Sequence, residues 1–249
     1  MAGAPFILLL GGTSEASVLA RRLRTTRPDI QLLLSLAGRT KAPALPEGVE
    51  TRIGGFGGVD GLVRFIREHG VTRLLDATHP YAVGMSRNAG EAACLAGIPR
   101  AIFQRPPWGQ TDGDRWQEVA CLRTARDALP SGARPFLALG SQHIAPFRHR
   151  PDLRPVLRQV DAPAEPLPFA ATLITGKPSQ DVAEEAALFR AHGVTHLVCR
   201  NSGGARGYAK IAAARKLQLP VILIQRPPEP DGPILRDLDA ALSWLISSS

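Results

Sequence analysis

Short, wholly apolar runs alternate along this chain with stretches of helical period, and that alternation constrains its fold more than any other feature. Phe6–Leu10 is an apolar run ending at glycine. From residue 14 to about residue 25, Ala16, Leu19, Ala20 and Leu23 recur at three- and four-residue spacing, predicting one apolar helix face. A second apolar run over 30–36, a Pro- and Gly-rich loop and a helix over 59–69 follow, with Gly70 placed to stop that helix in a left-handed turn. Leu74 and Leu75 then lead a strand into Asp76, a helix is expected over 82–95, and a strand over 101–103. Runs that are apolar at every position, rather than at alternate ones, suit strands covered on both faces by helices, as in parallel sheets.

The same order recurs. HGVTRLLDATHP begins at His69 and HGVTHLVCRNSG at His192; QRPP begins at Gln104 and again at Gln225; PFILLLGGT begins at Pro5 and PFLALGSQ at Pro135. The landmarks repeat in the same order at offsets of roughly 120–130 residues, which predicts two similarly built halves. Strands are expected in the second half over 136–139, Thr172–Thr175, 197–199 and Val221–Ile224, with helices over 180–192 and 209–217. The fold expected is α/β, two doubly wound parallel-sheet domains over 1–107 and 108–249, joined within 108–134. In such folds ligands bind at the carboxyl ends of the strands.

At 249 residues, 44% hydrophobic and 21% charged, the chain is neither disordered nor fibrous. Phe6–Leu10 is far shorter than the roughly 20 apolar residues of a spanning helix. No basic stretch precedes it and no cleavage pattern follows, so no membrane partner or secretory signal is expected and the chain reads as cytoplasmic. Cys94, Cys121 and Cys199 are an odd, scattered set without a CxxC, which suits a reducing compartment. His192 and His196 are separated by a predicted helix end and strand start, so no metal site is expected. The balance of 30 Lys+Arg against 22 Asp+Glu, a net +8, favours anionic partners. Scattered basic residues and only 5% aromatics argue against nucleic acid.

Every polar cluster sits where a predicted strand ends. Gly11-Gly12-Thr13-Ser14-Glu15 joins the first strand to a helix, a turn that lets backbone N–H groups and the helix dipole approach a phosphate, although GxGxxG is incomplete. The alternative is Ser14 as a plain helix N-cap. The second strand ends in Ser35-Leu36-Ala37-Gly38-Arg39-Thr40 with no acid until Glu47. An acid there would hold a ribose 2′-hydroxyl, whereas Arg39 with Ser35 and Thr40 suits a 2′-phosphate, favouring NADP(H) over NAD(H). Gly55 belongs to a Gly54–Gly58 cluster expected to be an ordered loop around Phe56. Thr78, His79, Pro80 and Tyr81 follow Asp76 where a nicotinamide would lie, His79 being a candidate acid–base group or a structural histidine. The second half offers Ser141, then Gly176, Lys177 and Ser179, then Asn201, Ser202 and Gly203, with Tyr208 and Lys210 beyond, a set suited to an anionic substrate.

GGTSEA, SLAGRT, RIGGFGG, DATHPYA, GSQ with APF, TGKPS and RNSGG, in this order from Ile7 to about Pro227, resemble the precorrin-6A reductase family of cobalamin (vitamin B12) biosynthesis. The resemblance implies two Rossmann-like domains with a cleft between them, and NADPH-dependent reduction of a double bond of the precorrin-6A macrocycle to give precorrin-6B. It implies cofactor contacts from Gly12, Thr13, Ser14, Glu15, Ser35, Arg39, Thr40, Thr78, His79 and Pro80, and from Asn201, Ser202 and Gly203. Lys210 is the first candidate for proton donor or carboxylate anchor, followed by His79 and Tyr81; solvent or a substrate carboxyl are equal alternatives for the proton. Ser14 stands where the family commonly has glycine, and Arg200 where lysine is usual. A reductase of another polycarboxylated substrate and a non-catalytic NADP(H) sensor are the other readings, and a monomer is the working expectation for assembly.

Overall fold

The computed structural model describes residues 5–38, 45–163 and 166–247. In chain order the first strands and helices are β1 (Phe6–Leu10), α1 (Ser14–Thr26), β2 (Gln31–Leu36), β3 (Glu50–Ile53), α2 (Gly58–Glu68), β4 (Arg73–Asp76), α3 (Val83–Ala96) and β5 (Arg100–Phe103). Then come β6 (Trp116–Val119), α4 (Leu122–Asp127), β7 (Pro135–Ala138), β8 (Val156–Gln159), β9 (Thr172–Thr175), α5 (Val182–Ala191), β10 (His196–Arg200), α6 (Ala209–Lys216) and β11 (Val221–Ile224). The chain ends with β12 (Ile234–Leu235) and α7 (Leu238–Ile246).

These elements build two six-stranded sheets, ordered β3-β2-β1-β4-β5-β12 and β9-β8-β7-β10-β11-β6. Every pairing is parallel. The switch points, where the winding reverses, lie between β1 and β4 and between β7 and β10. β1 shows why an uninterrupted apolar run is needed: Ile7 and Leu9 pack with Leu19, Leu23 and Leu245, while Leu8 and Leu10 pack with Leu62, Ile66 and Ala89 on the opposite face. Gly70 does adopt φ +64, and Val71 N–H bonds back to Ile66 O, closing α2 as its sequence requires. In the second sheet Phe136 and Phe189 meet at 4.9 Å between ring centroids within one core with Leu197, Ile211 and Leu223.

The chain divides into Met1–Pro106 with Pro227–Ser249, and Pro107–Arg226. This differs from the 108–249 extent read from sequence, because the tail returns to the first unit. Ile234 and Leu235 pair with Ile102 and Phe103, and α7, capped by Asp237 accepting from Ala240 N at 2.8 Å, buries Ala241 and Leu245 with the α1 side of the first core. The two QRPP segments explain this. Each follows a fifth strand, and each is followed by a short strand and helix that complete the other unit: β6 pairs with β11, and β12 with β5. The duplicated units therefore exchange their sixth strands.

The halves differ at one functional point. β1 leads into the 13-residue helix α1, whereas β7 leads only into 3-10 turns over Ser141–His143 and Ala145–His149. Among the described residues, only the first unit has an α-helix N-terminus at the loop after its first strand. Among the described residues no helix is long and apolar enough to cross a membrane, and no group of three or more His, Cys, Asp or Glu side chains is placed to hold a metal ion.

Candidate active site

At the switch point of the first unit, Gly11 and Gly12 do different work. A Cβ on Gly11 would stand 2.6 Å from Leu34 Cδ1 and 3.4 Å from Ala16 Cβ, so this glycine lets α1 press against the sheet. Gly12 has φ +109 with nothing within 4 Å of a Cβ, leaving its backbone open to an approaching ligand. Thr13, not Ser14, is the N-cap: its Oγ1 accepts from Ala16 N at 3.1 Å and donates to Ala77 O at 2.9 Å. The hydroxyl read as a phosphate donor thus ties the end of β1 to the end of β4. A first helical turn has N–H groups without intrahelical acceptors, and Thr13 takes only that of Ala16, so the anion-binding character remains. Ser14 Oγ donates to Glu15 Oε2 at 2.9 Å, and Arg105 Nη1 donates to the same oxygen at 2.5 Å. This sequence-distant Arg105, from the first QRPP, offsets the carboxylate that would otherwise repel a phosphate there.

Arg39 and Thr40 lie outside the described residues. Ser35 is buried and accepts from Arg52 Nη1 at 3.3 Å. Sequence reading missed Arg52. Its guanidinium donates to Gly54 O at 2.9 Å and Gly55 O at 3.0 Å and lies 4.0 Å from the centroid of Phe56. It therefore orders the glycine loop and adds positive charge beside Ser35. The signal was present as an arginine two residues before a diglycine and four before an aromatic.

At the end of β4, Asp76 is 1% exposed. Its Oδ1 accepts from Thr78 N at 3.0 Å and Thr78 Oγ1 at 2.7 Å, while Oδ2 has no partner among the described residues. Tyr81 N donates to His79 Nδ1 at 3.3 Å, which in the neutral imidazole leaves the proton on Nε2. The His79 and Tyr81 rings are 5.6 Å apart. A cavity of about 660 Å³ is lined by residues that include Asp76, His79, Pro80, Gln104, Pro227 and Pro228.

In the second unit the predicted residues are held by local contacts. Asn201 Oδ1 accepts from Trp108 N at 2.8 Å and its Nδ2 donates to Trp108 O at 3.0 Å, so the amide is spent on backbone. Arg226, from the second QRPP, donates to Asn201 O and Ser202 O at 2.8 and 3.0 Å, fixing the loop that ends in Gly203, φ +66. Lys210 Nζ donates to Gly207 O at 2.5 Å and lies 4.7 Å from the Trp108 ring centroid. Burial pushes the thiol of nearby Cys199 up to about 11, with the Lys210 charge opposing the shift, so that cysteine is a core residue. Ser179 is drawn into the start of α5, its N donating to Glu185 Oε1 at 3.0 Å and its Oγ to Glu184 Oε2 at 2.6 Å. Ser141 and Lys177 are exposed, and Gly176 takes φ +145 after β9.

Tyr208 is positioned rather than reactive. Arg215 Nη2 donates to its hydroxyl at 2.6 Å and pairs with Asp114. Burial opposes ionisation of Asp114, but the guanidinium and the N–H and hydroxyl of Thr111 outweigh it and hold the carboxyl below its usual range.

The family model described as precorrin-6x reductase CbiJ/CobK matches residues 6–246. A precorrin-6A reductase of Rhodobacter capsulatus is 44% identical over 96% of this chain and 95% of its own length. One from Rhodococcus erythropolis is 42% identical over 96% of both chains. A solved structure of CobK precorrin-6A reductase superposes with a TM-score of 0.92 at 44% identity, covering 97% of this chain and 96% of that one. With a doubly wound fold in each half and similarity along nearly its whole length, this chain belongs to the precorrin-6x reductase family CbiJ/CobK.

Proposed function

We propose that this chain reduces precorrin-6A to precorrin-6B with NADPH. Family membership over residues 6–246 carries the reaction, and the first unit supplies the cofactor half of it. The fit to a dinucleotide rests on the open Gly12 and the free first turn of α1 at the switch point of the first unit.

NADPH, when bound, supplies a hydride to the macrocycle. The pyrophosphate is held by Gly12 and the N-terminus of α1, with Glu15 neutralised by Arg105. The 2′-phosphate is held by Arg39, Thr40 and Ser35, with Arg52 adding positive charge next to Ser35. Thr78, His79 and Pro80 border the nicotinamide. Asn201, Ser202 and Gly203 form the loop that faces the cofactor or the macrocycle, with Asn201 fixing it through its amide bonds to Trp108 and Arg226 through the Asn201 and Ser202 carbonyls. The acetate and propionate carboxylates of the substrate are met by cations, Lys177 and Lys210 first among them, with Ser141, Gly176 and Ser179 shaping the surface. The proton that follows hydride delivery comes from Lys210 Nζ or, in the first unit, from His79 Nε2 or the Tyr81 hydroxyl.

The direct test is cofactor consumption. NADPH should be oxidised by the purified chain only when intact precorrin-6A is present, and no turnover with that substrate would refute the reading. Arg39→Ala should weaken NADPH about 10- to 100-fold, the worth of a charge-assisted pair. NADH should be little affected. Equal losses for both in titrations followed by cofactor fluorescence would refute the 2′-phosphate assignment.

A further inference from the structure

Lys210 stands where a cation is disfavoured. It is the second residue of α6, in a first turn that carries no acid, so its ammonium meets the positive end of the helix dipole. Gly207 O accepts from Nζ at 2.5 Å. Nζ also lies 4.7 Å from the centroid of the Trp108 ring, within the roughly 6 Å over which an indole face attracts a cation. Gly207 makes this approach possible: an added Cβ would stand 3.2 Å from Trp108 Cζ2 and 3.3 Å from Lys210 Nζ, tighter than side chains usually pack. Trp108 is itself fixed from several sides. Its backbone N–H and C=O bond to the two ends of the Asn201 amide, and its Nε1 donates to Gly204 O at 2.8 Å. It is 9% exposed within the core of the second unit. Tyr208 packs on it at 6.1 Å between ring centroids, and Arg215 holds the Tyr208 hydroxyl at 2.6 Å.

Stability alone does not call for this arrangement. A lysine stem is long and flexible, and an ammonium at a helix N-terminus destabilises the helix. A charge held against the helix dipole by a buried ring, a carbonyl and a glycine is a charge kept at one point. We propose that Trp108 is a positioning residue for the reduction, fixing the Lys210 ammonium relative to the loop over 201–204 so that Lys210 meets the substrate in one geometry. The proposal rests on the reading of Lys210 as proton donor or carboxylate anchor given above. It adds what that reading needs, because a reacting or binding group displaced by about 1 Å can cost on the order of 100-fold in rate.

A double-mutant cycle on the full chain tests this, with kcat/KM for precorrin-6A measured at saturating NADPH. Trp108→Leu should lower it about 10- to 100-fold, the scale of a misplaced group. Lys210→Met should cost at least as much. In the Lys210→Met background, Trp108→Leu should cost no more than about twofold, because the residue it positions is gone. Trp108→Phe keeps a ring face and loses the Nε1–H bond to Gly204 O, so it should retain most of the activity. Gly207→Ala removes neither Trp108 nor Lys210 but presses a methyl on both. It should slow the wild type about tenfold and the Lys210→Met protein no more than about twofold, which decides the matter if Trp108→Leu does not fold. The loss should fall on kcat where Lys210 gives the proton and on KM where it anchors a carboxylate. Equal fold losses in both backgrounds, or a Phe variant as slow as the Leu variant, overturn the positioning role alone. A Lys210→Met protein with the kcat/KM of wild type overturns the reading of Lys210 and this proposal with it.

Discussion

Glu185→Ala should destabilise the second unit by about 3–5 kcal/mol, because it breaks a buried ion pair and leaves one charge behind. Glu185 accepts from Arg158 Nη1 at 2.6 Å and Nη2 at 2.9 Å, and from Ser179 N at 3.0 Å. Its side chain is 1% exposed and that of Arg158 only 8%. The guanidinium lies 5.2 Å from the Phe136 centroid, so without the carboxylate it is packed against a ring in the core with no countercharge. The Ser179 N–H loses its acceptor in the same step, at the loop after β9 where substrate contacts are proposed. Denaturant unfolding measures this. A loss below about 1 kcal/mol would mean the pair is solvated. Replacing both partners, Glu185→Leu with Arg158→Met, should recover most of the loss, since apolar pairs of similar volume commonly replace buried ion pairs at little cost.

Gly61→Ala should be the most damaging single methyl in the first unit. An added Cβ would stand 1.7 Å from the carbonyl oxygen of Phe56, which is backbone and cannot rotate away. The glycine loop must move, and with it Phe56, the Arg52 stack and the carbonyls of Gly54 and Gly55. A cost of about 1–3 kcal/mol is expected, together with weaker NADPH binding because Arg52 no longer stands fixed beside Ser35. Gly84→Ala is the control: it lies in α3, and a Cβ there meets nothing within 4 Å. It should be neutral or stabilising by about 0.5–1 kcal/mol. Equal melting temperatures for the two variants would show that the α2–loop contact is slack.

The fold was readable where burial leaves one solution. Phe6–Leu10 is apolar throughout because both its faces are covered, and the second copy of its surroundings, from Pro135, betrayed the duplication. What escaped was set by short strands, by edges and by distance along the chain; β8, an interior strand, has only Val156 and Leu157 apolar before Arg158 and Gln159. β12 has two residues and β6 reads Trp-Gln-Glu-Val; edge strands with one neighbour need neither length nor continuous apolarity, so neither announces itself. The exchange of sixth strands depends on which fifth strand each QRPP tail meets, and no local pattern encodes that. The loops were legible as strand ends rich in glycine and hydroxyls, but the use of each group was not. Thr13 displaced Ser14 as the cap because its hydroxyl also reaches Ala77, a partner far along the chain. Asn201 looked like a ligand contact until Trp108 was seen bound to both ends of its amide. Arg52 and Arg105 were missed for the converse reason: their value comes from Phe56 and from Glu15, which only folding brings within reach.

The central claim, that this chain passes a hydride from NADPH to a carbon of precorrin-6A, is tested most directly by isotope transfer. NADPH deuterated at both C4 positions supplies deuteride whichever face the protein presents. Mass spectrometry of the product should show precorrin-6B carrying a single carbon-bound deuterium that survives exchange in ordinary water. Precorrin-6B formed without deuterium, or labelled cofactor consumed with the macrocycle unchanged, would contradict the account.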